Sequence, residues 1–157
     1  MSNVIPTLGY RDPRAAVRFL VEALGFTRTV FHDDPVTGEV HHAELCRPDG
    51  GRVGVHSAAP GLSVADLTAA AGAGGEGGPD GYPPFSVHID TDDPDGAYQR
   101  AVAAGATVVR ELQDRPVGTR NFIVRDPEGL YWSVGTPLPP LGRDADGRWR
   151  PVTGSGG

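Results

Sequence analysis

The sequence predicts an α+β domain in which a β-α-β-β-β unit occurs twice. Two helices begin at similar Asp-Pro sequences, Asp12-Pro13 and Asp92/Asp93-Pro94, and each helix ends before a glycine, Gly25 or Gly105. Asp before the first turn, Pro in it and Gly after the last turn are the preferred residues at helix ends. The spacing between Asp12 and Asp92 equals that between Gly25 and Gly105. This matched spacing, with strands in the same order around each helix, indicates an internal repeat.

The first unit reads in order along the chain. A short apolar strand at 4–10 precedes a helix whose apolar residues recur at helical spacing. Three strands follow, and the breaks between them fall at turn-forming residues, Asp34-Pro35-Val36-Thr37-Gly38 and Pro48-Asp49-Gly50-Gly51. These strands are predicted at 26–32, 40–46 and 52–57.

The second unit repeats the pattern. Its strands are predicted at 85–91, 107–112, 119–125 and 130–135, with the helix running to 104. We divide the domain, 1–137, into module one (3–58), a connector (59–83) and module two (84–137). The connector contains a Gly-, Ala- and Pro-rich stretch at 71–84, for which we expect flexibility. We expect the C-terminal tail, 138–157, to be partly flexible.

Composition excludes several classes of protein. The chain has 157 residues, the size of one domain, and a net charge of −6 without a basic stripe, which argues against nucleic-acid binding. No apolar run reaches the roughly 20 residues of a membrane span, and the N-terminus lacks signal-peptide features. A single cysteine, Cys46, rules out a disulfide framework. We therefore expect a cytoplasmic protein with neither membrane nor nucleic acid as a partner.

Four segments resemble the vicinal oxygen chelate superfamily, also called the glyoxalase/bleomycin-resistance/dioxygenase family. They are YRDPRAA at 10–16 with LGF at 24–26, HAEL at 42–45, AAGATVV at 103–109 and GTRNFIVRDPEGLYWS at 118–133. The resemblance spans about residues 3–137. It implies that each module curls its mixed sheet into a half-barrel and that the two enclose a cleft for a small organic molecule. Many members are homodimers, so we expect a homodimer, in which the modules pair either within one chain or across the two chains.

The resemblance also implies a set of metal ligands that this chain lacks. Metal-using members of the family place four ligands on the first and fourth strands of the modules. The matching positions hold Ile5, Gly54, Ser86 and Ser133, none of which is a usual ligand of a divalent metal. We therefore predict no metal site and no cofactor. Moving the assumed ligand positions by two residues, which keeps the same face of each strand, brings in only His56 and His88 as potential ligands. A metal site is expected to have three or four.

Strand alternation and the resemblance together predict the residues that line the cleft. Glu44 is open to interpretation as a general base, a rim charge or the partner of an arginine. Arg120 is expected either to bind an anionic ligand or to pair with a carboxylate such as Glu44 or Asp90. Ser86, His88 and Asp90 are neighbours on one strand face and do not form a nucleophile elbow, and no catalytic residue is assigned. The predicted cleft residues are Thr7, His42, Glu44, Gly54, His56, Ser86, His88, Arg120, Tyr131 and Ser133.

The sequence thus predicts a small-molecule binding protein of the glyoxalase/bleomycin-resistance type that lacks the usual metal ligands. The resemblance implies sequestration of a drug or metabolite, and hence antibiotic resistance, as its role. The alternative is a glyoxalase-like lyase or isomerase, or an extradiol-dioxygenase-like metalloenzyme, with an atypical site. A dimeric scaffold with an empty cleft is the third interpretation.

Overall fold

The computed structural model describes residues 4–70 and 85–152. The stretch at 71–84, for which the sequence predicts flexibility, lies outside the described residues.

Module one forms a four-stranded mixed sheet with one helix. The elements are β1 (Thr7–Tyr10), α1 (Pro13–Glu22), β2 (Thr27–Asp33), β3 (Val40–Cys46) and β4 (Arg52–Ser57). The order of the strands in the sheet is β1-β4-β3-β2, with β1 parallel to β4 and the other neighbours antiparallel.

Module two repeats this topology, which confirms the predicted twofold β-α-β-β-β architecture. A short helix, α2 (Val64–Ala70), precedes the module. Its elements are β5 (Ser86–Asp90), α3 (Pro94–Ala103), β6 (Thr107–Asp114), β7 (Arg120–Arg125) and β8 (Tyr131–Gly135). The order of the strands in the sheet is β5-β8-β7-β6, and β5 is parallel to β8. No helix in the described parts of the chain is long and apolar enough to cross a membrane.

The two main helices have ten residues each and equivalent N-caps. Asp12 accepts a hydrogen bond from the Ala15 N–H at 3.0 Å, and Asp93 accepts one from the Gly96 N–H at 2.9 Å. The second cap is therefore Asp93, whereas the repeat spacing in the sequence was measured to Asp92. The one-residue difference leaves the repeat intact, because each helix begins at the proline that follows its cap.

A single hydrophobic core joins the two modules. Trp132 of β8 is fully buried and packs edge-to-face on Phe26, with ring centroids 6.2 Å apart. Leu20 and Leu45 of module one belong to the same cluster as Phe122 of module two. The modules therefore bury apolar surface against each other, the main driving force for their association.

Buried polar contacts at Asp126 fix how the modules meet. Asp126 Oδ2 accepts hydrogen bonds from Tyr10 Oη at 2.7 Å and from Trp132 Nε1 at 3.2 Å. Its Oδ1 accepts from the N–H groups of Glu128 and Leu130, at 2.9 and 3.0 Å. Four donors satisfy a carboxyl group that is only 6% exposed, as burial of such a group requires.

Charge and burial shape ionisation at this junction. Burial raises the pKa of Asp126, and the four hydrogen bonds oppose that shift. Burial, followed by the charge of Asp126, raises the pKa of Tyr10. Tyr10 is therefore a permanent hydrogen-bond donor over the physiological range.

The tail contains a hairpin that the sequence analysis did not predict. Strands β9 (Leu141–Arg143) and β10 (Trp149–Pro151) pair antiparallel. The Asp144 side chain accepts hydrogen bonds from the N–H groups of Asp146 and Arg148 and holds the turn between them. Strands of three residues are too short to show an alternating apolar pattern, which is why the hairpin has no signature in the sequence.

Candidate functional site

Module two presents a polar face on the side of its sheet away from the core. Along β5, Ser86 and His88 are exposed, whereas Ile89 is buried in the core. His88 lies opposite Ser133 on the neighbouring strand β8, and the adjacent Trp132 and Val134 belong to the core. The strand alternation used in the sequence analysis therefore places these three polar residues on one face.

A cavity of about 360 Å³ opens on this face. It contains three of the predicted cleft residues, Ser86, His88 and Ser133. Its remaining lining residues were not predicted, and they come from β6, β7 and the segments that follow β6 and β8. They are Arg110, Arg115, Val117, Thr119, Asn121, Thr136 and Leu138.

A hydrogen-bonded chain includes two of the residues that line the cavity, His88 and Ser133, and a third residue, Asp90, outside its lining. His88 Nδ1 lies 3.0 Å from Ser133 Oγ, and His88 Nε2 lies 3.1 Å from Asp90 Oδ1. A carboxylate at Nε2 favours a proton on that nitrogen, so Nδ1 of the neutral ring accepts from the Ser133 hydroxyl. The imidazole is thereby held in one orientation beside the cavity. The serine bonded to His88 is Ser133, not Ser86.

Two arginines border the same cavity. Arg110, half-buried on β6, donates from its guanidinium to Asn121 Oδ1 at 3.0 Å. Arg115 lies in the tight turn between β6 and β7, which is closed by hydrogen bonds from Arg115 N to Thr119 O and from Gly118 N to Arg115 O. The pairing of β6 with β7 shifts register on both sides of Arg110. Because such shifts break the two-residue alternation, sequence reasoning could not assign Arg110 to this face.

The five cleft residues predicted in module one form a separate group. Thr7 lies opposite Gly54 on β4, and Gly54 lies opposite Glu44 on β3. His42 and His56 lie on the same two strands, β3 and β4. None of the five borders the cavity of module two. The chain thus carries its predicted cleft residues in two sets, one on each sheet.

Glu44 has an arginine partner, one of the interpretations left open by the sequence. It accepts hydrogen bonds from the Arg52 guanidinium, including one from Nε at 3.0 Å. This interaction lowers the pKa of Glu44. A carboxylate so engaged is a weak base, and the geometry therefore favours an ion pair over general-base chemistry.

Arg120 and Tyr131 lie away from the cavity lining. Arg120 donates from Nε to Asp95 at 3.0 Å and from Nη1 to Asp114 at 3.1 Å. Arg120 thus pairs with carboxylates, as one of the two interpretations predicted, but its partners are Asp95 and Asp114 and not the examples Glu44 or Asp90. Asp95 comes within reach because α3 packs on β7, where Tyr98 contacts Phe122. Tyr131 is half-buried and pairs with Ser86 across the strands, yet only Ser86 borders the cavity.

The donor set does not fit the metal centre of the metal-using relatives. The Ser86 and Ser133 hydroxyls remain neutral and are poor ligands, and Ile5 and Gly54 have no donor atom. His56 and His88 lie in different sheets, and each ring is already hydrogen-bonded, His56 Nδ1 to Ser57 O at 2.9 Å. Among the residues that the structure describes, no group of three or more His, Cys, Asp or Glu could hold an ion.

Comparison with known proteins gives consistent matches. A protein of Mycobacterium bovis, Mb0911c, is 32% identical over 139 residues, which cover 88% of this chain and 86% of that protein. The crystal structure of TioX from Micromonospora sp. ML1 superposes with a TM-score of 0.62 at 30% identity, covering 87% of this chain and 98% of TioX. TnmS3, an antibiotic binding protein from Streptomyces sp. CB03234, shares the fold with a TM-score of 0.62 at 19% identity, covering 87% and 97%.

A family model matches residues 5–134, a span that covers nearly all of both modules and every residue that lines the cavity except Thr136 and Leu138. The match agrees with the repeated topology and with the segments from which the resemblance was inferred. The chain therefore belongs to the Glyoxalase/Bleomycin resistance protein/Dioxygenase superfamily.

Proposed function

We propose that this protein binds a small organic molecule in the module-two cavity and acts by sequestering it, without metal chemistry. The observation that carries the proposal is the cavity itself. Its volume of about 360 Å³ lies within the range of small-molecule sites. Hydroxyl, imidazole, amide and guanidinium groups converge on it, and such groups fix the orientation of a ligand.

The chemistry of the lining supports binding over turnover. The positions that hold a metal in other members of the family carry neutral or apolar residues, so no Lewis acid is available from that source. Sequestration needs only affinity, which the cavity walls can supply. The likeness to TnmS3 supports an antibiotic or a related metabolite as the class of ligand, because that neighbour is an antibiotic binding protein.

A homodimer is part of the proposal. The described residues that bound the cavity all lie within 86–138, and the module-one set of Thr7, His42, Glu44, Gly54 and His56 lies on a separate sheet. If two copies pair, the module-one face of one copy can close the module-two cavity of the other. Sedimentation equilibrium of the full chain should then give twice the monomer mass of 16.4 kDa, whereas a monomer at ligand-binding concentrations would contradict this arrangement.

A glyoxalase-like lyase or isomerase is the second candidate, and one observation favours it. In the Asp90–His88–Ser133 chain, His88 and Ser133 border the cavity, and an oriented imidazole is a common proton-transfer group in enzymes. In such an enzyme His88 would move a proton on the bound substrate, with Asp90 holding the ring.

Metal titration and ligand screening separate these functions. Elemental analysis and titration with Zn, Ni, Mn and Fe(II) should show no stoichiometric site, and tight binding of one metal that is lost in His56→Ala or His88→Ala would overturn the metal-free proposal. A thermal-shift screen with peptide antibiotics and aromatic metabolites should raise the melting temperature, since a ligand in excess stabilises the folded state. Turnover of a hit that is abolished by His88→Ala would favour the enzyme.

A further inference from the structure

The charge around the module-two cavity differs from that of the chain as a whole. The chain has a net charge of −6, yet the cavity is bordered by two guanidinium groups, Arg110 and Arg115. Among the described residues that line it, there is neither an Asp nor a Glu. Two guanidinium groups with no carboxylate among the described lining residues create a local attraction for anions.

Arg115 is the more accessible of the two for a ligand. Two other half-buried arginines pair with carboxylates, Arg52 with Glu44 and Arg120 with Asp95. The Arg115 guanidinium forms no hydrogen bond or ion pair with any residue that the structure describes. Its backbone is fixed by the turn hydrogen bonds to Thr119 and Gly118, so the base of the side chain is held at the cavity edge.

An unsatisfied hydroxyl group lies beside Arg115. Thr119 borders the cavity and is only 4% exposed, and its Oγ1 has no hydrogen-bond partner within the described part of the chain. Buried hydroxyl groups in native proteins are nearly always paired, and leaving one unpaired costs free energy. A ligand oxygen that approaches Arg115 would supply the missing acceptor.

The mouth of the cavity is apolar. Val117 and Leu138 border it and are exposed large hydrophobic side chains. They would cover the non-polar body of a ligand whose charged end lies deeper, between the arginines and Thr119.

We infer that the ligand is an amphipathic anion: an apolar or aromatic body carrying a carboxylate or phosphate group that is bound by Arg115, Arg110 and the Thr119 hydroxyl. This inference rests on the proposed function, since it names the class of molecule for the same cavity. Guanidinium groups bind both oxyanions, often in a bidentate manner, and the two are distinguished by experiment.

Calorimetric titration of the full chain with three probes of one shape tests the inference. The probes are 2-naphthoate, 2-naphthyl phosphate and the uncharged 2-naphthamide. At least one anion should bind about tenfold more tightly than the amide, because a hydrogen bond to a charged group is stronger than a neutral one by roughly the free energy of a tenfold change. The tighter of the two anions identifies the oxyanion, carboxylate or phosphate.

Variants assign the preference to the cavity. Arg115→Gln should reduce the affinity for the anion about tenfold and leave the amide unchanged. Arg18→Gln is the matched control, because it removes the same charge from an exposed position on α1 and should change neither affinity. Thr119→Val exchanges two side chains of nearly the same shape. It should lower the affinity for the anion without altering the fold as measured by circular dichroism.

The outcomes separate this inference from the proposed function. Equal or tighter binding of the amide, or an anion preference that survives Arg115→Gln, overturns the anionic ligand but leaves small-molecule binding in place. Thermal-shift hits that are all neutral or cationic have the same meaning. Failure of every probe and of every compound in the thermal-shift screen overturns both.

Discussion

Tyr10→Phe tests whether the hydrogen bond between the modules stabilises the fold as the geometry indicates. The change removes only the hydroxyl that donates to Asp126 Oδ2 at 2.7 Å, and Tyr10 itself is 1% exposed. A hydrogen bond to a charged group contributes about 1.5–3 kcal/mol, more than one between neutral groups. We therefore expect the free energy of unfolding to fall by about 1.5–3 kcal/mol at pH 8.

The assay is urea unfolding, with an unchanged slope showing that the unfolded state is unaffected. For a chain of this length, each kcal/mol corresponds to roughly 2–4 °C in melting temperature, so heating gives an independent reading. The hydrogen bond from Tyr10 favours the ionised form of Asp126, since it opposes the burial that raises the pKa of that carboxyl. The loss should therefore be larger at pH 8 than near pH 4.

Tyr98→Phe is the matched control. Tyr98 packs edge-to-face on Phe122 with centroids 5.1 Å apart, and its hydroxyl makes no hydrogen bond to a described residue. Its loss should change stability by less than about 0.5 kcal/mol. If Tyr10→Phe costs no more than Tyr98→Phe, or costs equally at both pH values, the Tyr10–Asp126 hydrogen bond does not stabilise the folded protein in the way inferred.

Three further changes test other parts of the structure. Burial raises the pKa of Asp126 above the ordinary 3.8, so the folded protein binds the carboxyl proton more tightly than the unfolded chain does. The contribution of this protonated carboxyl group to stability therefore falls as the pH rises from 3.8 through the pKa in the folded state. Asp126→Asn should remove that part of the pH dependence of the free energy of unfolding in urea. If the free energy of unfolding of the variant and of the unchanged protein varied with pH in the same way, the prediction would be contradicted. A Cβ at Gly135 would meet Arg120 O at 2.5 Å and also clash with Asn121, so Gly135→Ala should cost about 1–3 kcal/mol, and a neutral result would show that β7 and β8 can separate. Without ligand, Thr119→Val should raise the free energy of unfolding by about 1 kcal/mol, because it removes an unpaired buried hydroxyl; a loss of stability would mean that Oγ1 is paired after all.

Local signals in the sequence were sufficient for most of the fold. The predicted strands at 40–46 and 52–57 coincide with β3 and β4, because Asp-, Gly- and Pro-rich turns bound them on both sides. Asp-Pro pairs located both main helices. The hairpin at β9 and β10 was missed because its two strands are too short to show a period.

The candidate site was predictable only where alternation holds. Ser86, His88 and Ser133 share a face as expected, since β5 and β8 pair without a register shift. Arg110 lies between two shifts on β6, and Arg115 lies in a turn, so neither position follows from a two-residue period. Arg120 was assigned to a cleft from sequence, whereas its partner Asp95 comes from a helix whose path across the sheet is a tertiary feature.

The junction at Asp126 also limits how the duplicated halves can be exchanged. The helix starts and strand pairings make Thr91 the counterpart of Tyr10, and Arg47 the counterpart of Asp126. In a chain built from two copies of module two, Thr91 would replace Tyr10, and the phenol hydroxyl that donates to Asp126 would be missing. In a chain built from two copies of module one, Arg47 would replace Asp126, and Tyr10 would lose its carboxylate acceptor. The two modules are therefore complementary at this junction, and a tandem of identical halves would not be expected to form it.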